Sequence, residues 1–159
     1  MTSPPVAFRM LGRGFSGGIC SDPFVVTGRT QTGKAGGETI HRITFVFILT
    51  HHARAAIEME GGTTFHFISG GIREALDRAR EAAAGMDVRI GGGPNTIQQF
   101  LREGLIDELH IAIAPVLLGR GELLFKGIDL RAMGYKCDEF VASAKATHVV
   151  LRRQEHMGA

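Results

Sequence analysis

Residues 87–104, DVRIGGGPNTIQQFLREG, constrain the fold of this chain more than any other stretch. A short apolar run ends in three consecutive glycines. Pro94 then opens a segment with Ile97, Phe100 and Leu101 at helical spacing, closed by Gly104. Proline suits a first helical position, where its missing N–H would have had no partner, and glycine suits the position just past a helix end. The pattern predicts a strand, a tight turn and a helix. Such a corner gathers unpaired backbone N–H groups at the positive end of a helix dipole, with no side chains in the way. Two readings fit it equally: a turn that admits a pyrophosphate, or a steric corner that glycine merely relieves. Familiar fingerprints do not choose between them. The third-glycine position of a dinucleotide motif is Thr96 here, and no Lys-Ser or Lys-Thr pair follows Gly93.

The flanking sequence is regular from Ile43 onward. ITFVFILT is a continuous apolar and β-branched run, as in a strand buried on both faces, and TTFHFIS alternates as a second strand. Ile72, Ala75, Leu76, Ala79 and Ala83 recur at helical spacing before Gly85 provides a stop. DVRI is a third strand, DELHIAIAPVLLG a fourth that runs into a turn, and KCDEFVASAKATHVVLRR a hairpin turning near Ser143 to Ala146. In APVLLGRGELLF the turn at Gly119 to Gly121 either closes over a ligand or simply links two elements, with Leu118, Leu123, Leu124 and Phe125 expected in the core. Alternating strands and helices followed by a hairpin predict an α/β domain with a mostly parallel sheet. Residues 1–42 are rich in Gly, Ser, Thr and Pro and give only two weak strand signals, VAFRML and PFVVTG.

Composition narrows the function classes. The 159 residues suit a single domain with a real core. The longest apolar run, Phe45 to Leu49, is too short to span a bilayer, and the first ten residues lack a secretory pattern, so a cytoplasmic chain with no membrane partner is expected. The net charge is only +2, REALDRAREAA alternates in sign, and Trp is absent, all of which argue against nucleic acid as a partner. Cys20 and Cys137 lie far apart without a CxxC context and read as reduced thiols. The seven histidines show no metal-ligand spacing, and adjacent His51 and His52 would point to opposite faces of a strand, so no metal is expected.

VRIGGGPNTIQQFLREGLIDELHIAIAPVLLGRGELLF then tips the balance between the two readings of the turn. The sequence resembles the dihydrofolate reductase-like superfamily, and within it the reductase domain of the bifunctional riboflavin-biosynthesis deaminase-reductase and its stand-alone bacterial relatives. That group carries a strand, a Gly-Gly turn, a helix ending near G-L-I-D-E-L, and then P-V-L-L-G-x-G-x-x-L-F. All of these stand between Ile90 and Phe125, and the likeness extends over about residues 43–153. It implies a three-layer fold with a mostly parallel central sheet and a C-terminal antiparallel hairpin. It also implies NADPH as hydride donor and, commonly, a homodimer acting on a small molecule. The implied activity is reduction of a small heterocyclic or carbonyl substrate, as in 5-amino-6-(5-phosphoribosylamino)uracil reductases of riboflavin biosynthesis or in dihydrofolate reductases.

Carried over by position, Gly91, Gly92 and Gly93 would take the cofactor pyrophosphate, with one Gly-Gly bond commonly cis. Pro94, Asn95 and Thr96 would start the helix that faces it. LTHHAR would place Thr50 and His51 at the adenine ribose and its 2′-phosphate, with Arg54 as a further cation. Two Gly-Arg pairs compete for a second phosphate contact: Gly12 with Arg13, slightly favoured for its resemblance to a GRxMFGG variant, and Gly28 with Arg29. Asp107 and Glu108 read as structural caps, and no residue stands out as a general acid. The family's opening strand ends in an S-L-D-G type motif that this sequence lacks. A central strand and its helix are therefore expected to be missing, with residues 1–42 an irregular segment before a single reductase domain at 43–153. That expectation carries its own alternative, a truncated non-catalytic nucleotide-binding or dimerisation module.

Overall fold

A computed structural model of the chain describes residues 6–9, 24–35, 38–117 and 119–154, with side chains from Phe45 onward. Among the described residues nine strands form one sheet: β1 (Val6–Arg9), β2 (Phe24–Ala35), β3 (Glu38–Leu49), β4 (Ile57–Glu58), β5 (Thr64–Ile68), β6 (Val88–Gly91), β7 (Glu108–Ile113), β8 (Tyr135–Ala142) and β9 (Thr147–Arg153). Two helices accompany them, α1 (Gly71–Ala83) and α2 (Pro94–Arg102). The strand order is β4-β5-β3-β2-β6-β1-β7-β9-β8.

The α/β class and the C-terminal hairpin are those expected from sequence. β8 and β9 pair antiparallel, and the Ser143 hydroxyl closes their turn by accepting from the Ala146 N–H at 3.1 Å. The sheet itself is mixed. β6, β1 and β7 are mutually parallel, as are β3 and β5, but β2 runs antiparallel to both of its neighbours. The long β2–β3 hairpin explains the reversal, because a short connection can only join antiparallel strands.

The place held open in the sequence reading is filled. β1 lies between β6 and β7, with Val6 level with Val88, and Phe8 level with both Ile90 and Leu109. A central strand is therefore present, supplied by only four residues. Its register continues the ladder on both sides and leaves no exposed backbone edge in the middle of the sheet. Together β1 and β2 bring the segment before residue 43 into the same sheet as the rest.

Two crossovers, β5-α1-β6 and β6-α2-β7, advance across the sheet in the same sense. Right-handed crossovers of that kind place both helices on one face. An ion pair at 2.7 Å joins Arg73 at the start of α1 to Glu103 at the end of α2. Beneath them lies one core. Ile72, Ala75, Leu76, Ala79 and Ala83 of α1 are buried as their spacing predicts, and Ile97, Phe100 and Leu101 of α2 meet Val88, Ile90 and Leu109 of the sheet. Each large apolar side chain removed from water there contributes about 1.5–3 kcal/mol. The segment after β7 departs from its expected packing: Leu124 and Phe125 rest against the core, but Leu123 is 70% exposed. Leu118 lies outside the described residues.

Both helices stop where glycine was read as a stop. α1 ends through Ala84 and Gly85, both left-handed at φ 48° and 89°. Gly104 follows α2 at φ 63°, where an added Cβ would also meet the Arg153 guanidinium. That guanidinium donates to the Gly104 carbonyl and to Asp107 Oδ1, tying β9 to the α2–β7 connection.

Candidate functional site

Strand directions decide where a site can lie. β3, β5, β6, β1 and β7 all run the same way, so their carboxyl ends share one edge of the sheet. Ligands of open α/β sheets bind outside that edge. The glycine turn is there, directly after β6, and so is Thr50, directly after β3. β2 sets their relative height, because Phe24 is level with Leu49 and Val25 with Gly91. The two strand ends stand two strand spacings apart, about 10 Å.

At the turn, Gly93 is extended at φ −67° and ψ 165°, and α2 begins at Pro94. All described peptide bonds are trans, including those of Gly91 to Gly93, so the cis bond common in the resembling superfamily is not used here. No side chain caps α2, and its first turn holds no acidic residue. α1 differs. Its first turn carries Glu74, whose carboxylate lies so close to Gly70 that a Cβ there would collide with it. Of the two helix N-termini at this edge, α1 has an anion of its own and α2 has none. Gly92 and Asn95 are exposed, while Thr96 is buried.

On the neighbouring strand, the Thr50 N–H donates to the Ile68 carbonyl at 3.0 Å, extending the β3–β5 ladder by one residue. Its hydroxyl accepts from the His52 N–H at 3.1 Å, which bends the chain outward. His51, His52 and Arg54 are exposed, and the Arg54 guanidinium lies over the Phe67 ring at 5.1 Å. This stacking holds a cation beside the edge at the modest gain typical of exposed cation–π pairs, about 0.5–1 kcal/mol.

The fold places one of the two Gly-Arg pairs. Gly28 is level with Val88, at the amino end of β6, three residues from the glycine turn and about 10 Å along the strand. Arg29 follows a register shift still further away. The antiparallel course of β2 thus carries Gly28 and Arg29 away from the turn. Gly12 and Arg13 lie outside the described residues. Asp107 and Glu108 sit at the opposite end of β7 from the site edge, paired to Arg153 at 3.1 Å and Arg152 at 2.9 Å. Among the described residues no group of three or more His, Cys, Asp or Glu side chains is placed to hold a metal.

Two features escaped the sequence reading. Gln98 is a buried polar residue of α2, and its amide donates to the Leu123 carbonyl at 2.8 Å while accepting from Arg102 at 3.0 Å. Glu74 over Gly70 is the other. The Gln98 contact has no local signature, since it depends on where the segment after β7 returns, whereas the Glu74 contact is local, between residues four apart at the start of α1.

The family model described as RibD C-terminal domain matches residues 29–149. The chain belongs to the RibD C-terminal domain family. The match takes in the glycine turn, both helices and most of the C-terminal hairpin. Two Bacillus subtilis (strain 168) proteins, YyaP and YwjB, both described as uncharacterized, are 35% identical over 65 residues and 37% identical over 59. These alignments cover 41% and 37% of this chain but only 34% and 33% of those proteins, so the matched part spans about a third of their length. The crystal structure of a riboflavin biosynthesis protein, described as putative, from Shewanella sp. PV-4 superposes with a TM-score of 0.55 at 23% identity. The superposition covers 69% of this chain and 60% of that one, and it supports the shared fold. Among the described residues no helix is long and apolar enough to cross a membrane.

Proposed function

We propose that this domain binds NADPH and reduces a small heterocyclic or carbonyl substrate by hydride transfer, in a reaction related to riboflavin biosynthesis. The observation that carries the reading is the uncapped, acid-free N-terminus of α2 behind Gly91 to Gly93, set at the carboxyl edge of the sheet in a chain of this family. The residues present suit the dinucleotide. Backbone N–H groups of Asn95 and Thr96 face a pyrophosphate, and the absence of side chains on the turn lets it approach. Thr50 and His51 receive the adenine ribose and 2′-phosphate two strands away, with Arg54 as a nearby cation. NADPH, when bound, supplies the hydride. The chain's part is to hold the nicotinamide and acceptor carbon together and to exclude water. The proton is delivered by water or by a group on the substrate.

A homodimer is part of the same proposal. Phe140 and Val141 of β8, the last strand of the sheet, are 64% and 49% exposed, and a second copy pairing along that strand would cover apolar side chains on both faces.

Titration with NADPH, read by nicotinamide fluorescence and melting temperature, tests the binding. Saturable binding with a raised melting temperature is expected, and unchanged readings at saturation would remove the proposal. Absorbance loss at the nicotinamide band with a pyrimidine or carbonyl acceptor separates a reductase from a module that binds NADPH without turnover.

A further inference from the structure

Pro94, Gln98 and Arg102 stand at i, i+4 and i+8 on α2 and so form one stripe, running from the glycine turn to the helix end. Two backbone carbonyls of the segment after β7 are fastened to this stripe. Gln98 Nε2 donates to the Leu123 carbonyl at 2.8 Å, and Arg102 Nη2 donates to the Lys126 carbonyl at 3.4 Å. The Gln98 side chain is buried and its second amide atom is spent on Arg102, which fixes the orientation of the donor. Going forward along the segment from Leu123 to Lys126 therefore moves toward the C-terminus of α2. Going backward moves toward the glycine turn.

Simple lengths complete the argument. Gln98 stands about 6 Å along the helix axis from Pro94. The three residues from Leu123 back to Arg120 can span about 10 Å. Gly121 at φ 147° and Gly119 at φ 68° take conformations that other residues rarely adopt, so Arg120 rides on a bend between two glycines. Its side chain is exposed and has no ion-pair or hydrogen-bond partner among the described residues.

Resting on the NADPH reading above, we propose that residues 119–122 form a wall of the dinucleotide site, indexed on α2 by Gln98, and that Arg120 supplies a cation to the phosphate groups bound at the glycine turn. Gln98 acts as a positioning residue: it touches no ligand and sets where Arg120 stands. The same tether couples the site to the loop, because a phosphate that engages Arg120 orders a segment already pinned at Leu123.

The experiment pairs affinity with proteolysis. Trypsin cleaves after Arg120, and saturating NADPH is expected to slow that cut several-fold in the unaltered chain. Arg120→Gln should weaken NADPH binding about ten- to hundredfold, the worth of a charge-assisted hydrogen bond, with an unchanged melting temperature. Gln98→Leu should speed the cut in the absence of NADPH and also weaken binding. Gln98→Glu keeps the acceptor for Arg102 but loses the donor to Leu123, and should behave like Gln98→Leu. Unaltered affinity in Arg120→Gln, or no protection at residue 120 by NADPH in the unaltered chain, would overturn the inference while leaving the cofactor reading intact. A wild-type chain that does not bind NADPH would sink both. Should Gln98→Leu fail to fold, the surface substitution Arg120→Gln decides the matter alone.

Discussion

The Tyr135 hydroxyl donates to the carbonyl of Ile106 at 2.5 Å, joining the first residue of β8 to the connection before β7. The ring is 4% exposed, and burial pushes the phenol from its ordinary 10.0 up to about 12, with Arg153 opposing and Asp107 adding to the shift. The folded protein thus holds this proton more tightly than the unfolded chain. The resulting stability is fully present below pH 10 and is lost as the pH rises through about 12. Urea titrations at pH 9 to 12 should show this decline, and Tyr135→Phe should flatten it. At neutral pH the same substitution is expected to cost about 1 kcal/mol, from the lost hydrogen bond.

Ala7 pairs with Arg89 on one side and Glu108 on the other. Proline there removes an N–H from the middle of the sheet and leaves a carbonyl without its donor. Ala7→Pro should destabilise the domain by about 3 kcal/mol or more in chemical denaturation. A neutral result would contradict the central placement of β1.

Gly92 is exposed at the turn, on the approach to α2. Gly92→Val places a branched side chain where the pyrophosphate is proposed to sit. NADPH binding should be abolished while the far-ultraviolet circular dichroism spectrum is kept. Full affinity in this variant would reduce the turn to a steric corner.

His51 is proposed at the 2′-phosphate, which NADH lacks. His51→Glu should weaken NADPH binding about tenfold or more by like-charge repulsion and leave NADH binding nearly unchanged. Equal losses for both cofactors would move the 2′-phosphate elsewhere.

Leu123 and Leu124 are adjacent but differently placed, one 70% exposed and the other against the core. Leu123→Asp is expected within about 0.5 kcal/mol of the parent, and Leu124→Asp should cost about 2 kcal/mol or more. Melting curves of the pair check the packing of the segment after β7.

The features legible in the sequence were those fixed by neighbours along the chain. The apolar stripes of α1 and α2, the Gly85 and Gly104 stops, Pro94 at the helix start and the Ser143–Ala146 turn all follow from local spacing and backbone preference. Of the proposed site, the glycine turn was visible for the same reason, whereas Thr50 and His51 were named only through the family resemblance. The Gln98 tether was not, because a lone glutamine on a helix looks the same whether it meets solvent or a returning carbonyl.

The sequence by itself determined which segments become helices, where they stop, and that a glycine turn separates β6 from α2. Only the tertiary structure decided that Val6–Arg9 stands in the middle of the sheet, that β2 runs against its neighbours, and that Gly28 and Arg29 are carried away from the turn. Each of those outcomes depends on register between strands far apart in the chain. Four residues with little periodicity become a central strand only because β6 and β7 leave a gap of one strand's width, and backbone groups there must be paired.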